Sequence, residues 1–537
     1  MAGTGEDEAA PHSPPPSPPL DPSTDLPIRS DSSSLQPMGE AAAGDEQHHG
    51  AGDAPDSPTS FRMEDLPAEI QTAVMSLLPL KEAVRASVVS TSWSMLWTFH
   101  SNLCFYGGPF DLHLERDLQD TTKDHNIVEL IKFKRAKFID DVNGIIQRHS
   151  GIGVNKFSIR CGLHKEDLDH LHRWIRFAAT SKANIIGFNL EKSFWESKEL
   201  KEVHHFPLEA LDVQGNSCVQ SFFLAHVSIK LHSGICGFNI LRRLVLKCVQ
   251  IFGDFPGLLV NCSALEDLEI INCFGLTNLS IPHKLDKLHH LLIVRMDVEM
   301  IEVHAANLAH FEYEGEFIPI VLHGCSKLEK ATMMIDGRKG LGRVFTLVPS
   351  ILPVKILNVK AWIVRYKQLQ KVTPRSHRIF THLRHMTCEL MVCSEEPNAS
   401  NGVLQLAYCL NVAPQLETLR LDMIYSGGTA WSDEVVVEEE GSPMCRHDHL
   451  RTVYIGGFRL YTAQTKLACC ILENAHVLEH MQLEPRCGDW INDIAFAVLN
   501  KDDDVEKNFL AQVCEWARLA SLRFGKVVTG PSEGVSL

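Results

Sequence analysis

The chain has 537 residues, of which 45% are hydrophobic, and a formal net charge of −16. This length and composition predict a large core divided between two folded units. No apolar run approaches the roughly 18 residues needed to cross a bilayer, and the opening residues MAGTGEDEAAP are acidic where a secretory signal is basic and then apolar. We therefore expect a cytoplasmic or nuclear protein without membrane association.

Residues 1–60 differ in composition from the rest of the chain. They hold eleven acidic residues against the single Arg29, a net charge of −10, and eleven of the 26 prolines. Such a segment buries too little apolar surface to offset chain entropy, so we predict a disordered, acidic, Pro/Ser-rich leader. The other 477 residues carry 50 basic and 56 acidic side chains, which argues against a nucleic-acid-binding surface. Ser13, Ser17 and Ser57 precede prolines, and phosphopeptide mapping would test whether they are phosphorylated.

Residues 66–97, LPAEIQTAVMSLLPLKEAVRASVVSTSWSMLW, predict three short helices. The first begins at Pro67, ends before Pro79 and carries one apolar stripe, made of Ile70, Val74, Leu77 and Leu78. The second helix carries a shorter stripe, made of Ala83, Val84, Ser87 and Val88. Ser90 to Ser92 offer caps for a third helix, which carries Trp93, Leu96 and Trp97. About thirty residues rarely support a core alone, so this apolar surface predicts contact with a partner protein or with the rest of the chain.

The order of these motifs, an LP opening, an LLPL turn and a W-x-x-x-W close, resembles the F-box family. The resemblance implies docking on a Skp-type adaptor, and through it on a cullin and a RING subunit, within an SCF ubiquitin ligase. Many family members carry a basic pair where this chain has Thr91-Ser92, which leaves adaptor preference open. The positions that match the family pattern, and that we predict to bind the adaptor, are Leu66, Pro67, Ile70, Leu77, Leu78, Pro79, Leu80, Ala83, Val84, Ser87, Val88, Ser90, Trp93, Leu96 and Trp97.

An L-x-x-L-x-L phrase, or an apolar variant of it, recurs along most of the remaining chain. Five copies start 24, 23, 20 and 20 residues apart, which is the spacing of leucine-rich repeats. They start at Leu241, Leu265, Leu288, Leu308 and Leu328, with less regular copies at Leu383, Leu416, Leu450 and Leu478 and earlier ones at Val154 and Leu208. Residues two apart in L-x-L share one side of a strand, so stacked copies predict a parallel sheet lining a curved solenoid.

The 16 cysteines are scattered from Cys104 to Cys514 without a C-x-x-C pair. In a reducing compartment this pattern indicates buried thiols rather than a disulfide framework. Cys262 and Cys325 precede two copies of the repeat phrase at the same offset. We expect both side chains to fill the turn as small buried thiols.

Residues 445–485 resemble the FBD region found at the end of many plant F-box leucine-rich-repeat proteins. The shared pattern is a strand, a Gly-Gly-Phe turn, an amphipathic helix and a closing strand, built on Leu450, Val453, Ile455, Gly456, Gly457, Phe458, Leu467, Ile471, Leu472, Leu478, Met481 and Leu483. A unit of this kind would cap the end of the solenoid. Residues 486–537 are predicted to form a C-terminal helical tail.

Candidate chemistry in the sequence is sparse. It contains no G-x-S-x-G, Walker A, G-x-G-x-x-G or H-E-x-x-H motif, so we expect neither catalysis nor a cofactor. Cys445, His447 and His449 are close enough to suggest zinc, but no second Cys or His pair follows at finger spacing, and a surface loop is the simpler interpretation.

Residues 360–378 contain six basic residues and no acid. A solvated loop explains them most simply. The alternative is that Arg365, Lys367 and Arg375 receive an acidic or phosphorylated substrate segment, because guanidinium groups pair well with carboxylate and phosphate. The acidic run DEVVVEEE at 433–440 is interpreted as part of an exposed loop.

The sequence therefore predicts an α/β protein with a short three-helix F-box, a solenoid and an FBD-type cap, over residues 61–107, 108–430 and 445–485, with an acidic loop at 431–444. The resemblance implies a non-catalytic, substrate-recognition subunit of an SCF ligase whose repeats bind an unknown protein. Two alternatives stay open. A leucine-rich-repeat scaffold without a ligase role would pack residues 61–100 onto the repeats, and a receptor assisted by a small ligand would show a deep pocket with convergent polar groups.

Overall fold

A computed structural model of the protein describes residues 65–91, 93–107, 124–192, 203–211, 217–232, 235, 237–316, 318–335, 354–364, 380–393, 403, 405–426, 446–485 and 503–531. The predicted leader, the acidic run at 433–440 and Cys445 lie outside the described residues, as do Arg365, Lys367 and Arg375.

Parallel strands dominate the described part of the chain. Their bounds are β1 Asn102–Tyr106, β2 Lys156–Arg160, β3 Ile185–Asn189, β4 His204–His205, β5 Ser221–Ala225, β6 Val227–Leu231, β7 Arg243–Lys247, β8 Gln250–Gly253, β9 Asp267–Ile271, β10 Asn278–Ile281, β11 His290–Val294, β12 Met300–Val303, β13 His310–Gly315, β14 Ile320–Leu322, β15 Lys330–Ile335, β16 Ile356–Val364, β17 His385–Cys393, β18 Thr418–Ser426, β19 Thr452–Gly456, β20 His480–Glu484 and β21 Val527–Thr529. Fifteen of them form one sheet in the order β1-β2-β3-β5-β7-β9-β11-β13-β15-β16-β17-β18-β19-β20-β21, and two smaller sheets run β4-β6-β8 and β10-β12-β14.

The repeat phrase sets the register of the large sheet. Leu244 pairs with Leu268, Leu268 with Leu291, and Leu291 with Phe311, always at the second apolar position of the phrase. These four side chains are at most 3% exposed, so neighbouring copies bury one another in a continuous ladder. The predicted parallel solenoid of leucine-rich repeats is confirmed.

Besides the edge strand β21, four strands of this sheet, β1, β3, β5 and β16, were not predicted. They hold the same register, with Leu103, Ile186, Phe222 and Leu357 on the ladder. The first position of the phrase is not leucine in these strands, so the phrase was not recognised there. The side chains at that position are still buried: His100, Ala183, Val219 and Val354.

The predicted copy at Leu208 is wrong as a strand. Leu208–Ala210 is a 3₁₀ helix whose N-cap is Pro207, and both Leu208 and Leu211 are buried. Side chains three apart eclipse on a 3₁₀ helix, so an L-x-x-L spacing serves this turn as well as it serves a repeat. The neighbouring strand of the sheet is β5, which starts at Ser221.

Helices occupy mainly the two ends of the described chain. Their bounds are α1 Ala68–Leu77, α2 Leu80–Ala86, α3 Asp124–Arg148, α4 Leu168–Thr180, α5 Phe255–Val260, α6 Gln405–Asn411, α7 Thr462–Asn474 and α8 Asp503–Phe524. Among the described helices, none is both long and apolar enough to span a bilayer. Between the two ends of the described chain, the two small sheets form the second layer of the solenoid.

The region predicted as the cap contains the expected strand, helix and strand, here β19, α7 and β20. However, β20 is not the last strand of the sheet, because Val527 of β21 pairs with His480. Helix α8 also packs on this end, where the Trp516 ring lies 5.3 Å from that of Phe458. The predicted tail is therefore a helix followed by an edge strand, and a cap that ends with residue 485 is not confirmed.

Two repeat cysteines lie where the sequence predicts. Cys262 is fully buried and Cys325 is 8% exposed. Burial raises the pKa of Cys262 to about 12, so its thiol stays protonated at neutral pH and acts as a small apolar group.

Candidate functional site

Three of the four residues of the predicted apolar stripe, in α1 and at its C-cap, face away from the protein's own core, and the fourth, Val74, is half-buried. Ile70, Leu77 and Leu78 are 46%, 84% and 38% exposed. The opposite side of the helix supplies the inward contacts, because Gln71 and Met75 are buried. An outward apolar stripe at helical spacing is the expected surface for a partner protein.

Pro79 shapes the turn that follows. Proline excludes helical backbone at the preceding residue, and Leu78 is accordingly extended, at φ −77° and ψ 150°. Helix α2 starts at once with Leu80, which is buried together with Ala83. The turn therefore sends two neighbouring leucines in different directions, Leu78 to solvent and Leu80 to the core.

The predicted third helix is present as a short 3₁₀ helix that holds Leu96 and Trp97 but not Trp93. After turns through residues 93–95, Leu96–Phe99 forms a single 3₁₀ turn. The Thr98 hydroxyl donates to the Met95 carbonyl over 2.6 Å, a local bond that competes with helical bonding. Strand β1 starts only three residues after Phe99, which limits the helix at its C-terminal end.

Part of the segment packs on the repeats. Met75, Ala83 and Trp97 form a small core with partly buried neighbours that include Leu96 and Ile145 of α3. Leu80 joins the main core of the solenoid. These contacts hold the inner side of the segment and leave its outer side to solvent.

Two buried histidines tie the segment to the solenoid through backbone groups. Nε2 of His100 donates to the Leu78 carbonyl (2.9 Å), and Nε2 of His149 donates to the His100 carbonyl (3.0 Å). Each Nδ1 accepts from a backbone N–H, that of Asn102 or of Gly151. Both rings are therefore neutral Nε2–H tautomers. Burial lowers the pKa of His149, which favours this neutral state.

The predicted adaptor-binding residues fall into three groups by exposure. The buried ones are Leu80, Ala83 and Trp97, and their contacts are intramolecular. The half-buried ones are Leu66, Val84, Ser87, Ser90, Trp93 and Leu96. The exposed ones are Pro67, Ile70, Leu77, Leu78, Pro79 and Val88.

Sequence reasoning missed three exposed apolar residues of this segment, Val89, Met95 and Phe99, which are 78%, 63% and 43% exposed. Val89 adjoins the predicted Val88, Met95 adjoins Leu96, and Phe99 lies two residues after Trp97, so only the fold of the segment separates them from its core. We call the exposed large apolar residues of the segment the outer set: Ile70, Leu77, Leu78, Val88, Val89, Met95 and Phe99.

The solvent side of the large sheet is a second candidate surface and is rich in charge. Arg243 pairs with Glu269 at 2.5 Å, and Lys360 with Glu389 at 3.1 Å. Further along, the Arg420 guanidinium lies 4.3 Å from the centre of the Tyr454 ring. Paired charges and an aromatic ring offer polar contacts to a protein partner.

Two other predictions concern a zinc ion and a small-ligand pocket. His447 is buried; its Nε2 donates to the Ala413 carbonyl (2.9 Å) and its Nδ1 accepts from the Leu450 amide (3.2 Å), so both ring nitrogens are hydrogen-bonded to the backbone.

A cavity of about 10 Å³ lies in the core beside β5 and β7, lined by apolar groups such as Phe222 and Phe238. It has room for about one water molecule and lacks the convergent polar groups of a ligand pocket.

Comparison with known proteins identifies both regions. The At1g61320/AtMIF1 LRR domain matches residues 145–504, about two thirds of the chain, and the F-box domain matches residues 63–105. The chain belongs to the At1g61320/AtMIF1 leucine-rich-repeat family. Its N-terminal helical segment is an F-box, and the predicted membership among F-box/LRR-repeat proteins is confirmed.

Several curated relatives come from Arabidopsis thaliana. F-box/LRR-repeat protein At3g58940 is 33% identical over 116 residues, 21% of this chain and 16% of the relative. Putative F-box/FBD/LRR-repeat protein At4g03220 is 22% identical over 285 residues, 50% of this chain and 54% of the relative. Putative F-box/LRR-repeat protein At5g54820 is 22% identical over 398 residues, 69% of this chain and 77% of the relative. The chain thus spans about a sixth to about a half of the first two relatives.

Proposed function

We propose that the protein is the substrate-recognition subunit of an SCF-type ubiquitin ligase, in which the F-box docks on a Skp-type adaptor and the repeats hold a protein substrate. The outer set carries the proposal, since seven large apolar side chains face solvent in a segment whose inner side packs on the repeats. Burying one such side chain contributes about 1.5–3 kcal/mol. F-box/LRR proteins are generally non-catalytic adaptors, and this chain would add proximity to chemistry done by other subunits.

The two alternatives have less support. A scaffold without a ligase role would use the apolar surface of residues 61–100 on its own repeats, but the outer set is not covered by the described residues. A receptor assisted by a small ligand would need a polar pocket, whereas the cavity near Phe222 is small and apolar.

The substrate surface is proposed to be the solvent side of the large sheet. It carries ion pairs that involve Glu269, Glu389 and Asp422. The basic residues Arg365, Lys367 and Arg375 follow β16 directly in sequence, and we propose that they receive an acidic or phosphorylated segment. Substrate capture that survives charge reversal of all three would remove this part of the proposal. A cytoplasmic or nuclear location, which a fluorescent fusion would test, is proposed as well.

Co-purification of the full chain with Skp-type adaptors tests the ligase role. The double variant Leu77→Asp, Val88→Asp replaces two side chains that are 84% and 85% exposed, so the fold should tolerate it while adaptor binding falls at least tenfold. The matched control is Leu522→Asp, at a 70% exposed leucine on α8 outside the F-box. Equal binding by wild type, double variant and control would contradict adaptor docking through the outer set.

A further inference from the structure

Two histidines and a glutamate meet on the solvent side of the large sheet. His290 of β11 pairs directly with His310 of β13, and Glu312 lies two residues further along β13. One ligand atom from each of the three lies within 4.8 Å of the other two. Their side chains are 27–29% exposed, so the cluster lies at the surface of the sheet. We propose that His290, His310 and Glu312 bind a divalent transition-metal ion of the zinc class.

The spacing of the nitrogen and oxygen atoms suits such an ion. Nε2 of His290 lies 3.3 Å from Oε1 of Glu312, and Nε2 of His310 lies 3.1 Å from the same oxygen. Zinc bonds to these atom types are about 2.0–2.2 Å long, which places tetrahedral ligand atoms about 3.3–3.6 Å apart. Both nitrogen–oxygen separations therefore need to change by only a few tenths of an ångström, and the ligand atoms of the three residues all lie within 4.8 Å of one another.

Asp267 of β9 supports the site from behind. Its Oδ1 lies 2.7 Å from Nδ1 of His290, and its Oδ2 lies 3.4 Å from Nε of Arg243. A carboxylate that accepts from Nδ1 turns the Nε2 lone pair of the same ring toward the metal, the usual arrangement behind a metal-bound histidine. Asp267, His290 and His310 are paired neighbours on three successive strands, so the repeat itself builds this arrangement.

An ion pair alone accounts for only part of the cluster. His290 lies between two carboxylates, with Nδ1 2.7 Å from Oδ1 of Asp267 and Nε2 3.3 Å from Oε1 of Glu312. Nε2 of His310 is left inaccessible to solvent and without a hydrogen-bond partner among the described residues. A metal would use the orphan nitrogen.

The donor set indicates the class of ion and what it could do. Two imidazoles and one carboxylate favour zinc-class ions over calcium or magnesium, which prefer oxygen ligands. Three protein ligands leave a coordination position for water or for a side chain of a bound protein, because the cluster lies on the open side of the sheet. Metal binding here is independent of adaptor docking by the F-box.

Metal titration of the chelator-stripped, reduced full chain tests the site. Isothermal titration with Zn²⁺ and visible absorption with Co²⁺ should both show one site. We expect His310→Ala and Glu312→Gln to weaken it at least tenfold and Asp267→Asn to weaken it by about 10–100-fold. Thermal unfolding in chelator shows whether each variant is folded.

His304 and His323, another pair of adjacent histidines with ring centres 4.3 Å apart, provide the matched control. His304→Ala should bind metal as the wild type does. Cobalt bound through the cysteines would be recognised by its thiolate charge-transfer absorption. Wild type that binds no metal, binds it only through thiolate, or loses as much affinity in His304→Ala as in His310→Ala would overturn the assignment.

Discussion

The F-box and the central repeats use the same apolar residue types in opposite ways. Between residues 70 and 99 the outer set places seven large apolar side chains in solvent, whereas the described residues between 241 and 335 expose only Phe252 and Phe274 to a comparable degree. The repeats bury their leucines against the neighbouring repeat, and the F-box presents them outward. Exposed leucine in a segment that is otherwise well packed therefore indicates a partner surface rather than poor packing.

Alanine substitution of one leucine from each region is the strongest test of this contrast. Leu268 is fully buried in the ladder of the large sheet, and Leu77 is 84% exposed. We expect Leu268→Ala to lower the free energy of unfolding by about 2–5 kcal/mol, because it leaves a cavity between three strands. Leu77→Ala should change it by less than about 0.5 kcal/mol, since little of its surface is buried.

Urea unfolding of the full chain without an adaptor measures both variants, with intrinsic fluorescence and circular dichroism as two probes. A Leu77→Ala variant as unstable as Leu268→Ala would show that Leu77 packs within the chain. The distinction between the two regions would then fail at its clearest residue.

The junction between the two regions should respond to pH through His149. Its ring donates to the His100 carbonyl and accepts from Gly151 N–H, and protonation would set two N–H groups against each other. Burial lowers the folded pKa of His149 below the unfolded value of 6.5. The unfolded state therefore binds more protons between those two pKa values, so the stabilisation is complete above pH 6.5 and is lost as the pH falls through the folded pKa.

Hydrogen exchange at α1 and α2 reports this loss directly. We expect exchange there to accelerate as the pH falls below 6.5, after correction for the intrinsic rate, and to do so more in wild type than in His149→Gln, since Gln keeps a donor and an acceptor but does not titrate. His172→Gln, on the exposed side of α4, is the control and should behave as wild type. Identical profiles in wild type and His149→Gln would exclude His149 as the titrating group.

Periodicity predicted which residues share a face, but not which way that face points. It placed Ile70 and Leu77 on one stripe of α1, yet only packing decides that Met75, on the opposite side, meets the core. Leucine leads the phrase in most of the strands that were predicted, and β1, where buried His100 takes that position, was missed. The 20-residue spacing of Leu288 and Leu308 was enough to set His290 beside His310, since both follow the leading leucine by two residues.

The smallest expected effect concerns ion pairs between residues that immediately precede neighbouring strands. Arg451 precedes β19 and pairs with Glu479, which precedes β20; their side chains are 59% and 61% exposed. The same arrangement recurs upstream, between Arg242 and Glu266. Backbone bonds already fix this register, because the amides of Glu479 and His480 both donate to the Arg451 carbonyl.

We therefore expect the Arg451–Glu479 pair to contribute only about 0.2–1 kcal/mol, and less at high salt, because solvent screens exposed charges. A double-mutant cycle with Arg451→Ala and Glu479→Ala, followed by thermal unfolding at two salt concentrations, measures the coupling. A coupling of several kcal/mol would mean that side-chain charge, and not the backbone ladder, holds this strand in register. The polar side of the sheet would then be under structural constraint, with less freedom to vary for a partner.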